Sequence, residues 1–209
     1  MPTSTRNNRL VTFVFDQLLV IDLEATCWLG PPPEGQRNEI IEIGVATLDL
    51  ASFAPLRRES ILVKPLVSEI SAFCTELTSI TPEMAAAGVT LTEACQWLND
   101  EFDAQSRMWG SWGSYDLKML TAQCKADDVT YPFSAHHVNI KRIYGKLTRQ
   151  KQGMGLKVAL EQLALGFDGT HHRGVDDAHN TARIVQHVLT TYGLEAFVLA
   201  IPKKDRPPL

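Results

Sequence analysis

Three groups of residues have the types and spacing to do chemistry. The first is Asp22 and Glu24, which follow the apolar run at residues 18–21. That run has the length and β-branched content of a buried strand, and an i, i+2 spacing puts both carboxylates on one face of it. Two like charges buried side by side are unfavourable unless a cation lies between them. The second is Asp116, at the end of WGSWGSYD (109–116), where a strand gives way to a helix. The third is HHRGVDDAHN (171–180), in which His172 stands five residues before Asp177 at the start of a late helix.

Each group alone has an ordinary explanation. Asp22 and Glu24 suit a strand that ends in solvent. Asp116 suits a first helical turn capped by Ser114, where a carboxylate complements the dipole by about 0.3–1 kcal/mol. Asp176 reads as a structural N-cap, His171 as a loop residue, and His179 and His187 as surface or packed groups. The set is more informative than its members. Hard cations such as Mg²⁺ and Mn²⁺ take oxygen ligands. A pair of them about 3.5–4 Å apart can activate water and stabilise a leaving oxygen in phosphodiester hydrolysis. An imidazole, with a reference pKa of about 6.5, can take the proton of that water near neutral pH.

These residues need elements to carry them. Residues 28–37 (WLGPPPEGQR) are too rich in turn formers for regular structure. Residues 38–50 read as a second strand, with Ile41, Ile43 and Val45 alternating against Glu42 and Gly44, and residues 60–67 as a third. Strands this close in sequence suit an antiparallel meander. Residues 71–77 suggest a short helix. Thr81 and Pro82 suit the N-cap and first position of another. Residues 92–102 carry an apolar stripe of Ala94, Cys95, Leu98 and Phe102. A fourth strand at 107–112 precedes a helix at 115–125, and helical patterns follow at 139–147, 155–165 and 176–192. Strands followed by mixed strands and helices indicate one α/β layer structure.

The chain of 209 residues is 44% hydrophobic and 21% charged, as expected of one globular domain. Residues 10–201 are expected to form it, between disordered tails at 1–9 and 202–209. No apolar run approaches the roughly 20 residues of a membrane span, and residues 1–9 lack the apolar segment of a secretory signal. Cys27, Cys74, Cys95 and Cys124 are widely spaced, which argues against a zinc site and fits free thiols in a reducing, cytoplasmic setting. The net charge of −4 argues against a nucleic-acid partner at first sight. Two divalent cations would offset it. Between Val129 and Leu160 there is no acidic residue, while Lys141, Arg142, Lys146, Arg149, Lys151 and Lys157 are basic. Such a segment either tracks phosphates or simply faces solvent.

With these motifs in this order, the sequence resembles the DEDDh (DnaQ-like) superfamily of 3′-to-5′ exonucleases: DLEATC (22–27), WGSYD (112–116) and HRGVDDA (172–178). EATC (24–27), NEIIEIG (38–44), FCTELTSI (73–80), WGSWGSYD (109–116) and residues 172–183 make it similar to the exoribonuclease subgroup that trims histone messages, ribosomal RNA and small interfering RNAs, and to KapD-like relatives. The likeness runs from about residue 18 to 188. It implies an RNase H-like α/β fold, a five-stranded mixed sheet flanked by helices. It implies that Asp22, Glu24, Asp116 and Asp177 hold two divalent ions, Mg²⁺ or Mn²⁺, with Glu24 and His172 catalytic and His172 the general base. It further implies that Ala25 and Thr26 meet the 3′-terminal nucleotide through their backbone, and that Leu77 and Ile80 wall the base pocket.

The expected reaction is hydrolysis of single-stranded nucleic acid, RNA ahead of DNA, from a free 3′ end to nucleoside 5′-monophosphates. The alternatives are a DNA exonuclease of proofreading or repair type, and an idle nucleic-acid-binding scaffold that keeps the fold.

Overall fold

The structure, a computed structural model, describes residues 14–150 and 153–207. Its centre is strand β1 (Val14–Ala25), with β2 (Ile40–Asp49) antiparallel on one side and β4 (Arg107–Ser111) parallel on the other. Strand β3 (Pro55–Leu62) pairs antiparallel with β2, and β5 (His137–Asn139) pairs parallel with β4. The described residues thus form a five-stranded mixed sheet in the order β3-β2-β1-β4-β5.

Side-chain alternation along β1 splits the core. Leu18 and Val20 point to one face, with helices α5 (Ile140–Thr148), α6 (Leu156–Gln162) and α7 (Gly174–Ala200). Leu19, Ile21 and Leu23 point to the other, with α3 (Leu91–Phe102) and α4 (Tyr115–Ala126). Asp22 and Glu24 follow the parity of Leu18 and Val20, so both carboxylates belong to the α7 side of the sheet. The β1–β2 register shifts between Glu24 and Ala25. An irregularity of this kind ends the pairing and re-aims the chain just past the second acid. Helices α1 (Ala72–Thr78) and α2 (Pro82–Ala86) cover the exit of β1; Ser71 caps the first, and Thr81 the second by accepting from Met84 N–H.

Several expected boundaries move. The third strand runs over Pro55–Leu62, not 60–67. Arg57, Arg58 and Glu59 lie on this edge strand, where charge deters pairing with another chain and hides the strand from apolar periodicity. The chain then turns at Lys64 and Pro65, because the buried carboxylate of Glu39 accepts the backbone N–H groups of Leu66, Val67 and Ser68 at 3.1, 3.0 and 2.7 Å. Strand β2 is buried from Ile40 to Leu48 on both faces and does not alternate. Strand β5 has three residues, too few to show a period. The last helix begins at Gly174 and continues past a kink at Gly193 (φ 81°) to Ala200. The expected tail from 202 is not free. Residues Lys203–Asp205 form a 3₁₀ turn, and the Arg206 guanidinium donates to the carbonyls of Ile201 and Leu199 at 3.0 and 2.7 Å. Residues 1–9 lie outside the described part. Among the described residues, no helix is long and apolar enough to cross a membrane.

One close approach fixes the fold around the acids. Gly44 lies opposite Asp22 in the ladder, and a Cβ there would stand 2.0 Å from the backbone carbon and oxygen of Gly174. The first turn of α7 therefore rests directly on β2, three residues before Asp177. Neither backbone can yield locally, so Gly44→Ala should lower unfolding stability by about 3 kcal/mol or more. Urea denaturation would measure this, and an unchanged midpoint would show that the two backbones are not held together as described.

Candidate active site

Four carboxylates meet at the end of β1. Ligand oxygens of Asp22, Glu24 and Asp177 lie within 4.8 Å of one another. Asp116 reaches them from the first turn of α4, on the other side of the sheet, and its Oδ1 accepts the Leu23 N–H at 3.1 Å. That bond pins Asp116 to the residue between the two acids of β1. Ser114 does not cap α4 with its side chain; its hydroxyl accepts instead from Asn139 Nδ2 at 3.0 Å. A cleft of about 380 Å³ opens over the acids, walled by Trp112, Tyr115, Leu156, His171 and His172.

The late histidine motif folds differently from its simplest reading. His171, expected to be an ordinary loop residue, places Nδ1 2.9 Å from Asp177 Oδ1. His172 donates its backbone N–H to Asp177 Oδ2 at 2.7 Å, and its ring stacks on that of His171 with centroids 3.9 Å apart. Its φ of 64° lies in the left-handed region, which a non-glycine residue holds only where its surroundings over-determine it. Asp176 is structural, but it is not the N-cap. The helix starts earlier, with Arg173 at the cap position, and Asp176 Oδ2 accepts the Thr170 N–H at 2.7 Å while Oδ1 pairs with Arg58. His179 pairs with Asp168 at 3.1 Å, and His187 is half-buried away from the cleft.

Glu42 is not among the residues that local spacing marks for chemistry. Fully buried on β2 opposite Glu24, it receives Arg173 through Nε and Nη2 at 3.2 and 3.1 Å. It also takes the Gly174 N–H at 2.8 Å and the Ser60 hydroxyl at 2.8 Å. This clamp ties the start of α7 to the sheet. A lone Glu within a run otherwise apolar on both faces is the signal that could have found it. Breaking a buried pair by removing one partner costs about 3 kcal/mol or more, so Glu42→Ala should destabilise by that much. Glu42→Gln, which keeps the acceptor oxygen, should lose less. Equal losses in thermal melts would remove the charge from this role.

The electrostatics define what the cluster lacks. Burial, and then repulsion from Asp116, Asp177, Glu24 and Glu42, pushes Asp22 well above the usual carboxylate range. Burial, followed by Asp177, Glu42 and Asp116, raises Glu24 to about 8, although Arg173 opposes this. Burial also raises Asp116 and Asp177, against hydrogen bonds that favour their ionised forms. Arg173 is engaged by Glu42 and does not neutralise the group. Clustered hard oxygen donors, held up by burial and with no lysine or arginine among the described residues that line their cleft, fit divalent metal ions.

The residues expected to seat the nucleotide are placed less directly. Ala25 and Thr26 are buried, and the Thr26 backbone is engaged within the chain, donating to Glu39 C=O at 2.8 Å and accepting from Asn38 Nδ2 at 2.6 Å. Leu77 is half-buried on α1. Ile80 has no exposed surface and packs with Ile41, Cys74 and Ala85. It supports the α1 region from inside and presents no wall to a ligand, because the turn after α1 folds it into the core. None of these four lines the cleft over the acids. The basic segment also disperses. Lys146 reaches the Leu199 carbonyl at 3.3 Å, Lys157 lies over the Phe167 ring, Arg149 ends α5, and Lys151 is outside the described residues.

Comparison with known proteins gives this arrangement a family. Residues 19–185 match the family model described as Exonuclease (RNase T), and the chain belongs to that family, on its DEDDh branch. The rat 3′-5′ exoribonuclease 1 is 31% identical over 194 residues, covering 88% of this chain and 56% of the rat protein. The chain thus spans about half the length of that relative. Among solved structures, the nuclease domain of 3′hExo, a DEDDh family member bound to rAMP, has a TM-score of 0.76 at 31% identity over 87% of this chain and 95% of that one. A 3′-exonuclease structure concerned with recognition of the histone mRNA stem-loop has a TM-score of 0.77 at 30% identity, covering 85% and 83%.

Proposed function

We propose that the protein is a metal-dependent 3′-to-5′ exonuclease that acts preferentially on single-stranded RNA and releases nucleoside 5′-monophosphates. The observation that carries this reading is the convergence of Asp22, Glu24 and Asp177 oxygens within 4.8 Å, with Asp116 and His172 beside the same cleft. Asp22, Glu24 and Asp177 would hold one divalent ion, Mg²⁺ or Mn²⁺, and Asp22 with Asp116 a second. When bound, such ions activate the attacking water and neutralise charge on the leaving oxygen. The chain's own residues do the rest. His172 is the proton acceptor; burial and the neighbouring His171 ring lower its pKa, which keeps the imidazole neutral at physiological pH. His171 and the His172 N–H hold Asp177 in one orientation, as supporting hydrogen bonds do for metal ligands. The Glu42–Arg173 clamp fixes the turn that carries both histidines. Leu77, Ala25 and Thr26 are the proposed neighbours of the terminal nucleotide.

Preference for RNA rests on the exoribonuclease names of the similar proteins and on the rAMP in a similar structure. Ribo- and deoxyribo-oligomers of one sequence, compared with Mg²⁺, test it. A kcat/KM ratio favouring the ribo-oligomer is expected, and a ratio favouring the deoxy-oligomer would establish the DNA-exonuclease alternative. The four cysteines are free, three of them buried, which supports the proposal of a reducing, cytoplasmic setting.

A further inference from the structure

A second hollow in the molecule is larger than the cleft over the acids. It is a cavity of about 620 Å³ between α4, the edge strand β5, the start of α5 and the turn at Lys203–Asp205. The first turn of α4 separates the two: Ser114 lines the cavity, while Tyr115 and Asp116 line the cleft. Three cations reach it from three elements, Lys125 from the end of α4, Arg142 from α5 and Lys204 from the C-terminal turn. Among the described residues, none of the three forms an ion pair, and Asp205 is the one carboxylate in the lining. A smaller hollow of about 260 Å³ shares Arg142 and Pro202 with it and adds Lys146. Apolar surface from Leu117, Tyr131 and Ile143 forms another part of the lining, and the Asn139 amide and Ser114 hydroxyl are also present.

We infer that this cavity is a second ligand site, one that takes a nucleotide unit by its phosphate ester and its base. The volume lies within the range of about 300–1,000 Å³ typical of small-molecule sites and far exceeds that of a bare inorganic anion. Three cations against one carboxylate select a phosphate, for which Arg142 can offer two parallel N–H donors. The apolar wall with its tyrosine accepts a flat base, and Asp205 and Asn139 can pair with sugar hydroxyls or base amino groups. The charge contrast with the cleft is decisive when no metal is bound. The lining of the cleft then presents acidic groups and no lysine or arginine to meet a phosphate, while the lining of the cavity presents three cations. The site therefore stands apart from the catalytic reading and can be tested without turnover. The nucleotide unit has two possible sources, a free mononucleotide or an internal unit of a bound strand.

The test uses the full chain in EDTA, with ¹⁵N amide spectra recorded on addition of 5′-AMP or of a short oligoribonucleotide. The amides of Ser114, Thr121 and Asn139 should shift. The triple variant Lys125→Gln/Arg142→Gln/Lys204→Gln changes only exposed side chains, and should keep the dispersed spectrum while losing about tenfold or more in affinity. Shifts with 5′-AMP identify a free mononucleotide; shifts with the oligomer alone identify the strand. Asp22→Asn should leave these shifts in place, which keeps this result separate from the fate of the exonuclease proposal. Shifts confined to residues 22–24 and 171–177, no shift with either ligand, or a triple variant that binds both as tightly as the native chain would each overturn the inference.

Discussion

Asp22→Asn should stabilise the metal-free protein while abolishing its nuclease activity. Asp22 is the residue on which the other acids press, and burial adds to the cost of its charge. The sign follows from its raised folded-state pKa. A carboxyl whose pKa is higher folded than unfolded destabilises the fold once pH exceeds the unfolded value of about 4, and the penalty grows until the folded pKa is reached. At neutral pH, replacing it by a neutral amide of the same shape removes that penalty. The expected gain is about 1–3 kcal/mol, or roughly 2–10 °C in the melting temperature of a chain this size. Activity should fall by about a thousandfold or more, because the shared ligand of both proposed ions is lost. The same physics predicts that in EDTA the native chain gains stability as pH falls from 8 to 6.5, with Glu24, at about 8, contributing directly. Below 6.5 the trend should reverse in part, since His137 is buried with a pKa lowered to about 4 and loses stability as its unfolded form takes up a proton. Mg²⁺ or Mn²⁺ should raise the melting temperature of the native chain and should not raise that of Asp22→Asn. A variant that melts below the native chain in EDTA would contradict the repulsive cluster.

His172→Ala should lower kcat by about 10²–10⁴-fold, the usual contribution of a positioned general base. It should also flatten the rise of rate with pH. In the native chain that rise should have its midpoint below 6.5, because burial and His171 depress the pKa of the His172 imidazole. The neutral, proton-accepting form then predominates at and above neutral pH. His171→Ala should behave differently. Its Nδ1 lies 2.9 Å from Asp177 Oδ1, so its loss should raise the metal concentration needed for half-maximal rate by about 10–100-fold and keep the rise of rate with pH, its midpoint moved upward because His171 no longer opposes protonation of His172. Initial rates across pH and Mn²⁺ concentration separate the two roles. A flattened profile in His171→Ala with an unchanged one in His172→Ala would exchange the assignments.

Local chemistry made much of this site legible in the sequence. Alternation along β1 set Asp22 and Glu24 on one face, and the structure puts both on the α7 side. The local patterns place Asp116 and Asp177 at helix starts, and both sit in the first turns of α4 and α7. What was not legible depends on contacts distant in sequence. Glu42 and Arg173 are 131 residues apart, and no period or cap links them. Gly44 read as an ordinary position of a strand, because its need to lack a side chain comes from the backbone of Gly174. Charged residues hid the first half of β3, since edge strands resist aggregation with the same residues that obscure apolar alternation. Ile80 belonged to a segment with a family likeness, yet its side chain turned inward, and burial of a single side chain is set by packing that a motif does not encode.

The central claim is that these acids and His172 remove nucleotides one at a time from a 3′ end with the aid of divalent ions. The most direct measurement uses a 5′-labelled single-stranded oligoribonucleotide with Mg²⁺, sampled over time, beside the same reaction in EDTA and the same strand blocked by a 3′-phosphate. A ladder that shortens by single nucleotides, nucleoside 5′-monophosphates as products, and no reaction in EDTA are expected. Internal fragments appearing before any ladder, or digestion that persists in EDTA, would contradict it.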